Sequence, residues 1–166
     1  DISHKYGFGA VDAGAAVSVA ENWINVGEEL NATYGPYNPS IDIPDDDNSW
    51  SEVTAVVTDE YSLESVDVYV DITHSARGDL NIVLVSPLGS ESWLAETHGE
   101  HGNDYSDWML STVRHLDASS LGTWTLKARD TTSIDNGTPD SRELILHGID
   151  VQYDTPSGGF RNEQRT

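Results

Sequence analysis

Asp104 and Asp107 stand in "GNDYSDW", and Asp130 and Asp135 in "RDTTSIDNG". Carboxylates are hard oxygen donors, and calcium takes about six to eight such oxygens from side chains, carbonyls and water. Two loops meeting at one end of a β-domain would bring these four acids together as a candidate calcium set, with Gly137 allowing a sharp turn. The same residues have a local use. Asp135-Asn136-Gly137 forms a turn without any ion.

Other chemistry is less well supplied. His98 and His101 flank Gly99-Glu100, a short histidine cluster without the His-Glu-x-x-His spacing of a zinc helix. The chain has no Cys, so zinc would need further ligands from elsewhere, and the segment reads as a polar surface loop rather than a zinc site. His74, His115 and His147 add to the histidine count. No Ser among the candidates has the strand–turn–helix setting of a nucleophile elbow. No catalytic residue is assigned, and the chain is expected to be inactive by itself.

Composition narrows the partners. The 166 residues carry 8 Lys+Arg against 29 Asp+Glu, a formal net charge of −21. Binding nucleic acid requires neutralising phosphate with cations, so neither DNA nor RNA is an expected partner. Anionic membranes are disfavoured by the same charge, and no apolar run approaches the ~20 residues that span a bilayer. Most of the charge reads as solubility, with oxygen ligation as its second use. A hydrophobic fraction of 37% is enough to fill a core. The sequence starts with Asp1 and its one Met is Met109, which suggests a piece of a longer polypeptide.

The elements that would position these residues fall into four segments. In residues 1–23, Asp12 is a helix N-cap ahead of an Ala-rich stretch, and Val11, Ala15 and Val19 form a stripe widened by Ala16, Ala20 and Trp23. So apolar a helix calls for burial against something larger. Residues 24–50 read as a linker broken by Gly35-Pro36, Asn38-Pro39 and Pro44, with the acidic run Asp45-Asp46-Asp47 solvated. Residues 51–154 are strand-rich. Val66, Val68, Val70 and Ile72 alternate with polar neighbours; Leu80 to Val85 is apolar on both faces, as in a central strand; Trp124, Leu126 and Ala128 point inward. Seven or eight strands after one short helix predict a mainly β fold, a sandwich or jelly roll. Residues 155–166 read as a loose tail.

Arg77-Gly78-Asp79 matches a cell-adhesion tripeptide, yet it falls between a strand ending near Ile72 and one starting at Leu80. Gly78 suits a tight connection there, and Arg77 and Asp79 suit local pairs or caps. The expected role is structural.

Several segments in order resemble one family. "HKYGFGAVDAGAAVSVAENW" is similar to the C-terminal end of the catalytic domain of furin/kexin-like subtilisin-family proteases. "ITHSARGDLNIVLVSPLGS", "NDYSDWMLSTV", "GTWTLKARD" and "DNGT" resemble the P domain (Homo B domain) that follows it. The resemblance implies a jelly-roll β-barrel that is not catalytic, packs on the protease domain of the same polypeptide, and adjusts its calcium and pH dependence. It adds Asp79 to the calcium candidates, gives Arg77, Gly78 and Trp124 structural roles, and implies a secreted, extracellular parent. Two positions depart from the family pattern. Arg114 follows "STV" where a Trp is frequent, and Arg142 stands where an aromatic is frequent. The competing reading is a β-sandwich binding module attaching a secreted enzyme to a polymer or cell surface. That reading needs Trp50, Trp93 and Trp108 on one exposed face.

Overall fold

The computed structural model describes residues 3, 5–37, 41–44, 49–132 and 138–150. One helix, α1 (Ala13–Ala20), precedes eight strands: β1 (Leu30–Tyr37), β2 (Ser51–Val57), β3 (Tyr61–Thr73), β4 (Leu80–Val85), β5 (Glu91–Ala95), β6 (Tyr105–Thr112), β7 (Gly122–Asp130) and β8 (Thr138–Asp150). They form two antiparallel four-stranded sheets, ordered β1-β8-β3-β6 and β2-β7-β4-β5. The result is a sandwich rather than a closed barrel.

The alternation in β3 has the expected result. Val66, Val68, Val70 and Ile72 are buried against Leu80, Ile82, Leu84, Trp124, Leu126, Leu144 and Leu146. Fully burying each aliphatic side chain contributes roughly 1.5–3 kcal/mol. β4 lies between β7 and β5, and Val83, register partner of Trp93 and Lys127, is buried on the face away from the core. Trp124 is 1% exposed, and its indole N–H donates to the Ser120 carbonyl at 2.8 Å.

The linker expected over 24–50 needs correction. Leu30–Tyr37 pairs with β8 from Leu30↔Gly148 to Tyr37↔Arg142, slipping in register between Tyr34 and Tyr37, around Gly35-Pro36. Ile43 lies in the core. Gly and Pro suggested a break, but an edge strand tolerates Pro, and pairing with β8 outweighs local propensity. The acidic run at 45–47 and the tail at 155–166 lie outside the described residues.

In α1, Asp12 caps as expected, its Oδ1 accepting from the Ala15 N–H at 2.9 Å. No residue of the helix is buried. The apolar surface that calls for cover therefore has none among the described residues.

The sandwich has two ends. At the proximal end the chain arrives from α1 and β1 begins, with Leu30 beside Gly148. The turn between β2 and β3, the turn at Pro87-Leu88 and the loop 113–121 share this end. Val57 pairs with Gly122, Leu63 exchanges backbone bonds with Asp117 and Ala118, and a Cβ on Gly122 would come within 2.8 Å of Pro87 Cβ. The distal end carries the connections 74–79, 96–104 and 131–132.

Candidate functional site

The distal end holds most of the candidate residues, and Arg77 organises it. Its Nε donates to Glu100 Oε2 at 2.8 Å and its Nη2 to Oε1 at 3.2 Å. Nη1 donates to the carbonyls of Asn103 and Asp104 at 3.2 and 3.3 Å. The guanidinium lies 4.8 Å from the centre of the Trp108 ring. Such a fork uses the planar donor geometry that only Arg offers. The Arg77 hydrogen bond holds the Glu100 carboxyl below its ordinary range.

The backbone closes the same connection. Arg77 N–H donates to Gly102 O at 2.9 Å and His98 N–H to Gly78 O at 2.8 Å. Gly78 is buried, and a Cβ there would stand 2.1 Å from Glu100 O and 2.7 Å from His98 O. Asp79 O accepts from the Thr131 N–H and hydroxyl at 3.1 and 2.8 Å. Arg77-Gly78-Asp79 is thus one 3₁₀ turn stitched between two loops. An adhesive ligand needs a projecting tip, and these three residues do not form one.

The calcium candidates separate. Asp130 is fully buried, with Oδ2 3.2 Å from His74 Nε2 and Oδ1 accepting from the Thr132 N–H at 3.0 Å. The Ala76 N–H donates to His74 Nδ1 at 3.1 Å, so the imidazole hydrogen sits on Nε2 and points at Asp130. Asp104 Oδ1 accepts from the His74 N–H at 2.7 Å. Asp107, exposed on β6, donates its N–H to Asp71 Oδ1 at 2.5 Å. Asp104 and Asp107 both adopt positive φ, 47° and 48°, the left-handed region in which Asp is tolerated. Asp79, Asp104 and Asp130 do share the distal end, as the loop argument expects. Yet no group of three or more His, Asp or Glu among the described residues is placed to hold a metal, and each oxygen of Asp130 makes one hydrogen-bonding contact inside the fold. Asp135 lies outside the described residues.

The histidines make no catalytic unit among the described residues. His74 with Asp130 has the outline of a dyad, but its second nitrogen takes a backbone N–H where a nucleophile's hydroxyl would belong. His98 Nδ1 lies 2.8 Å from Glu96 O. His147 bridges two acids, Glu29 Oε1 at 2.7 Å and Asp67 Oδ2 at 3.2 Å. His115 is buried edge-on to Trp124, 5.0 Å between ring centres, and its Nε2 has no hydrogen-bond partner among the described residues. Burial, with help from Arg114, pushes its imidazole down to about 4.

The tryptophans do not form one face. Trp50 and Trp93 meet edge to face at 6.1 Å, with Arg129 4.6 Å above Trp50. Trp108 lies on β6 of the other sheet, against Tyr105 and Arg77. A binding face of all three is not assembled.

Sequence reasoning missed Ser120, a hub of the proximal end. Its hydroxyl donates to Asp59 O at 2.6 Å and accepts from the Tyr61 N–H at 2.7 Å. No local pattern marks a serine whose partners lie about sixty residues away.

The proximal end offers a different kind of site. Val56, Leu88, Val113 and Leu121 are 47–65% exposed there, at the end where the chain arrives from the uncovered helix. Apolar side chains exposed at one end of a fold are candidates for a contact surface.

The fold is a two-sheet antiparallel sandwich with apolar side chains exposed at its proximal end. Residues 63–146 match the family model of the proprotein convertase P-domain, and the chain belongs to that family. Bovine (Bos taurus) furin is 33% identical over 153 residues, spanning 89% of this chain and 19% of furin. The Kluyveromyces lactis protease KEX1 is 34% identical over 158 residues, spanning 88% of this chain and 20% of that protein. The chain thus covers about a fifth of these curated relatives' length. The Aeromonas sobria serine protease, solved with its chaperone, has the same fold over 90% of this chain and 32% of the protease, with a TM-score of 0.78 and 23% identity.

Proposed function

We infer that this domain is the non-catalytic partner of a subtilisin-like serine endoprotease domain carried on the same polypeptide, and that it holds that domain in its folded, active form. One observation carries the reading. The proximal end exposes Val56, Leu88, Val113 and Leu121 where the chain arrives from α1, itself apolar and unburied. A single covering body would bury both the helix and this end. Apolar burial gains roughly 25 cal/mol per Å², so a docked protease domain and this sandwich stabilise each other. A secreted, extracellular parent follows from the same reading. Among the described residues no helix is long and apolar enough to cross a membrane.

The test uses the full-length gene product. Leu88→Asp with Leu121→Asp places two charges on the docking end without touching the sandwich core. The variant should lose proteolytic activity and the midpoint of the protease domain should fall, while the strand signal of the sandwich persists. Unchanged activity and midpoint would overturn the reading. The present chain alone should hydrolyse neither casein nor small peptides.

A further inference from the structure

His147 stands on β8 with a carboxylate against each of its ring nitrogens. Nδ1 lies 2.7 Å from Glu29 Oε1, and Nε2 lies 3.2 Å from Asp67 Oδ2. The three residues come from three parts of the chain. Asp67 is on β3, the hydrogen-bonded neighbour of β8. Glu29 ends the connector that runs from α1 to β1. Val66, Val68 and Leu146 point into the core, so Asp67 and His147, next to them in sequence, lie on the outer face of the sheet. One imidazole thus ties the connector to that face.

The two contacts together require one form of the ring. An ionised carboxylate only accepts hydrogen bonds, and a neutral imidazole carries a single N–H. Both nitrogens donate only in the imidazolium. With one proton removed, a ring lone pair faces a carboxylate oxygen and one acid has to withdraw. Asp67 is held in β3 by its register with Ile145 and Ser111, and its side chain is 20% exposed. Glu29 precedes β1 and its side chain is 57% exposed, so Glu29 is the acid free to leave. The other polar groups on this face are Asn31 and Ser65, register partners of His147, and beyond them Tyr69 beside Glu143. None of these is a base. Among the described residues neither Glu29 nor Asp67 pairs with a Lys or Arg, so no other cation holds the connector in place of His147.

We propose that His147 is a proton-operated latch on the connector between α1 and β1. The imidazolium fastens Glu29 to the sheet, and the neutral ring releases it. The latch does not rest on the docking reading, because all three residues belong to this chain.

The test follows two signals in one sample. The imidazole resonances of His147 report its titration by NMR, and amide protection across residues 29–32, corrected for intrinsic exchange, reports how firmly the connector is held. Protection should fall about two- to fivefold as His147 loses its proton, the size set by a partly exposed ion pair. His147→Gln does not titrate and should remove the step. If that variant does not fold, Glu29→Gln carries the test. Its side-chain amide can both accept and donate, so it bonds the ring in either state and should also remove the step. Protection that stays constant while His147 titrates, or a step that survives in either variant, would overturn the proposal.

Discussion

His74 Nε2 lies 3.2 Å from Asp130 Oδ2, with both side chains shut off from solvent. The pair joins the end of β3 to the end of β7, one strand from each sheet, and so fastens the distal end of the sandwich. Removing one partner strands the other in a low-dielectric site. Asp130→Ala leaves the His74 Nε2–H and the Thr132 N–H without an acceptor and should cost about 1–3 kcal/mol in urea denaturation. Asp130→Asn keeps an acceptor for the Thr132 N–H and should cost less. A loss below about 1 kcal/mol in Asp130→Ala, the range of an exposed pair, would mean that the two groups are not locked together.

The same residue tests the calcium assignment. Among the described residues no third acid or imidazole joins Asp130 and His74 at one point to hold an ion. The destabilisation caused by Asp130→Asn should therefore be equal in Ca²⁺ and in NaCl of matched ionic strength, since general screening of the −21 charge acts on both proteins alike. A larger loss in Ca²⁺ would make Asp130 a ligand.

Gly78 has no space for a side chain, because a Cβ would meet the Glu100 carbonyl oxygen at 2.1 Å. Gly78→Ala must push the 96–104 loop away and so weaken the Arg77–Glu100 fork. The expected loss is about 1–3 kcal/mol or more, with faster amide exchange at His98 and Glu100. Unchanged exchange at these amides would show that the loop yields freely.

Acid should weaken the domain through His115. Its folded-state value of about 4 lies below the ordinary 6.5, so between those pH values the unfolded chain binds the extra proton. The stabilisation is fully present above pH 6.5 and is lost as pH falls toward 4, by about 3 kcal/mol at most. Protonation would place a charge against Trp124 at a nitrogen that has no acceptor. His115→Phe should flatten the slope of stability against pH in that window, measured relative to the native chain. Parallel slopes in the two proteins would remove His115 as the cause.

The strands were legible because their information is local. Val66, Val68, Val70 and Ile72 alternate within seven residues, and a strand pointing successive side chains to opposite faces turns that alternation into one buried row. The apolar run at Leu80–Val85 announced a strand inside its sheet, and Trp124 fell inward by the same count. The helix cap at Asp12 was equally readable, since its partner is three residues away.

What stayed hidden depended on residues distant in the chain. β1 looked like linker because Gly35-Pro36 breaks local periodicity, and only pairing with β8, more than a hundred residues later, makes it a strand. Asp130 reads as a loop acid in the sequence, and only folding places it beside His74, 56 residues earlier, with no access to solvent. His115 and Ser120 carry no local mark of their burial. A side chain's preference for strand or turn is set by its neighbours in sequence, whereas whether a polar group meets water or a buried partner is set by which strands the sheets bring together.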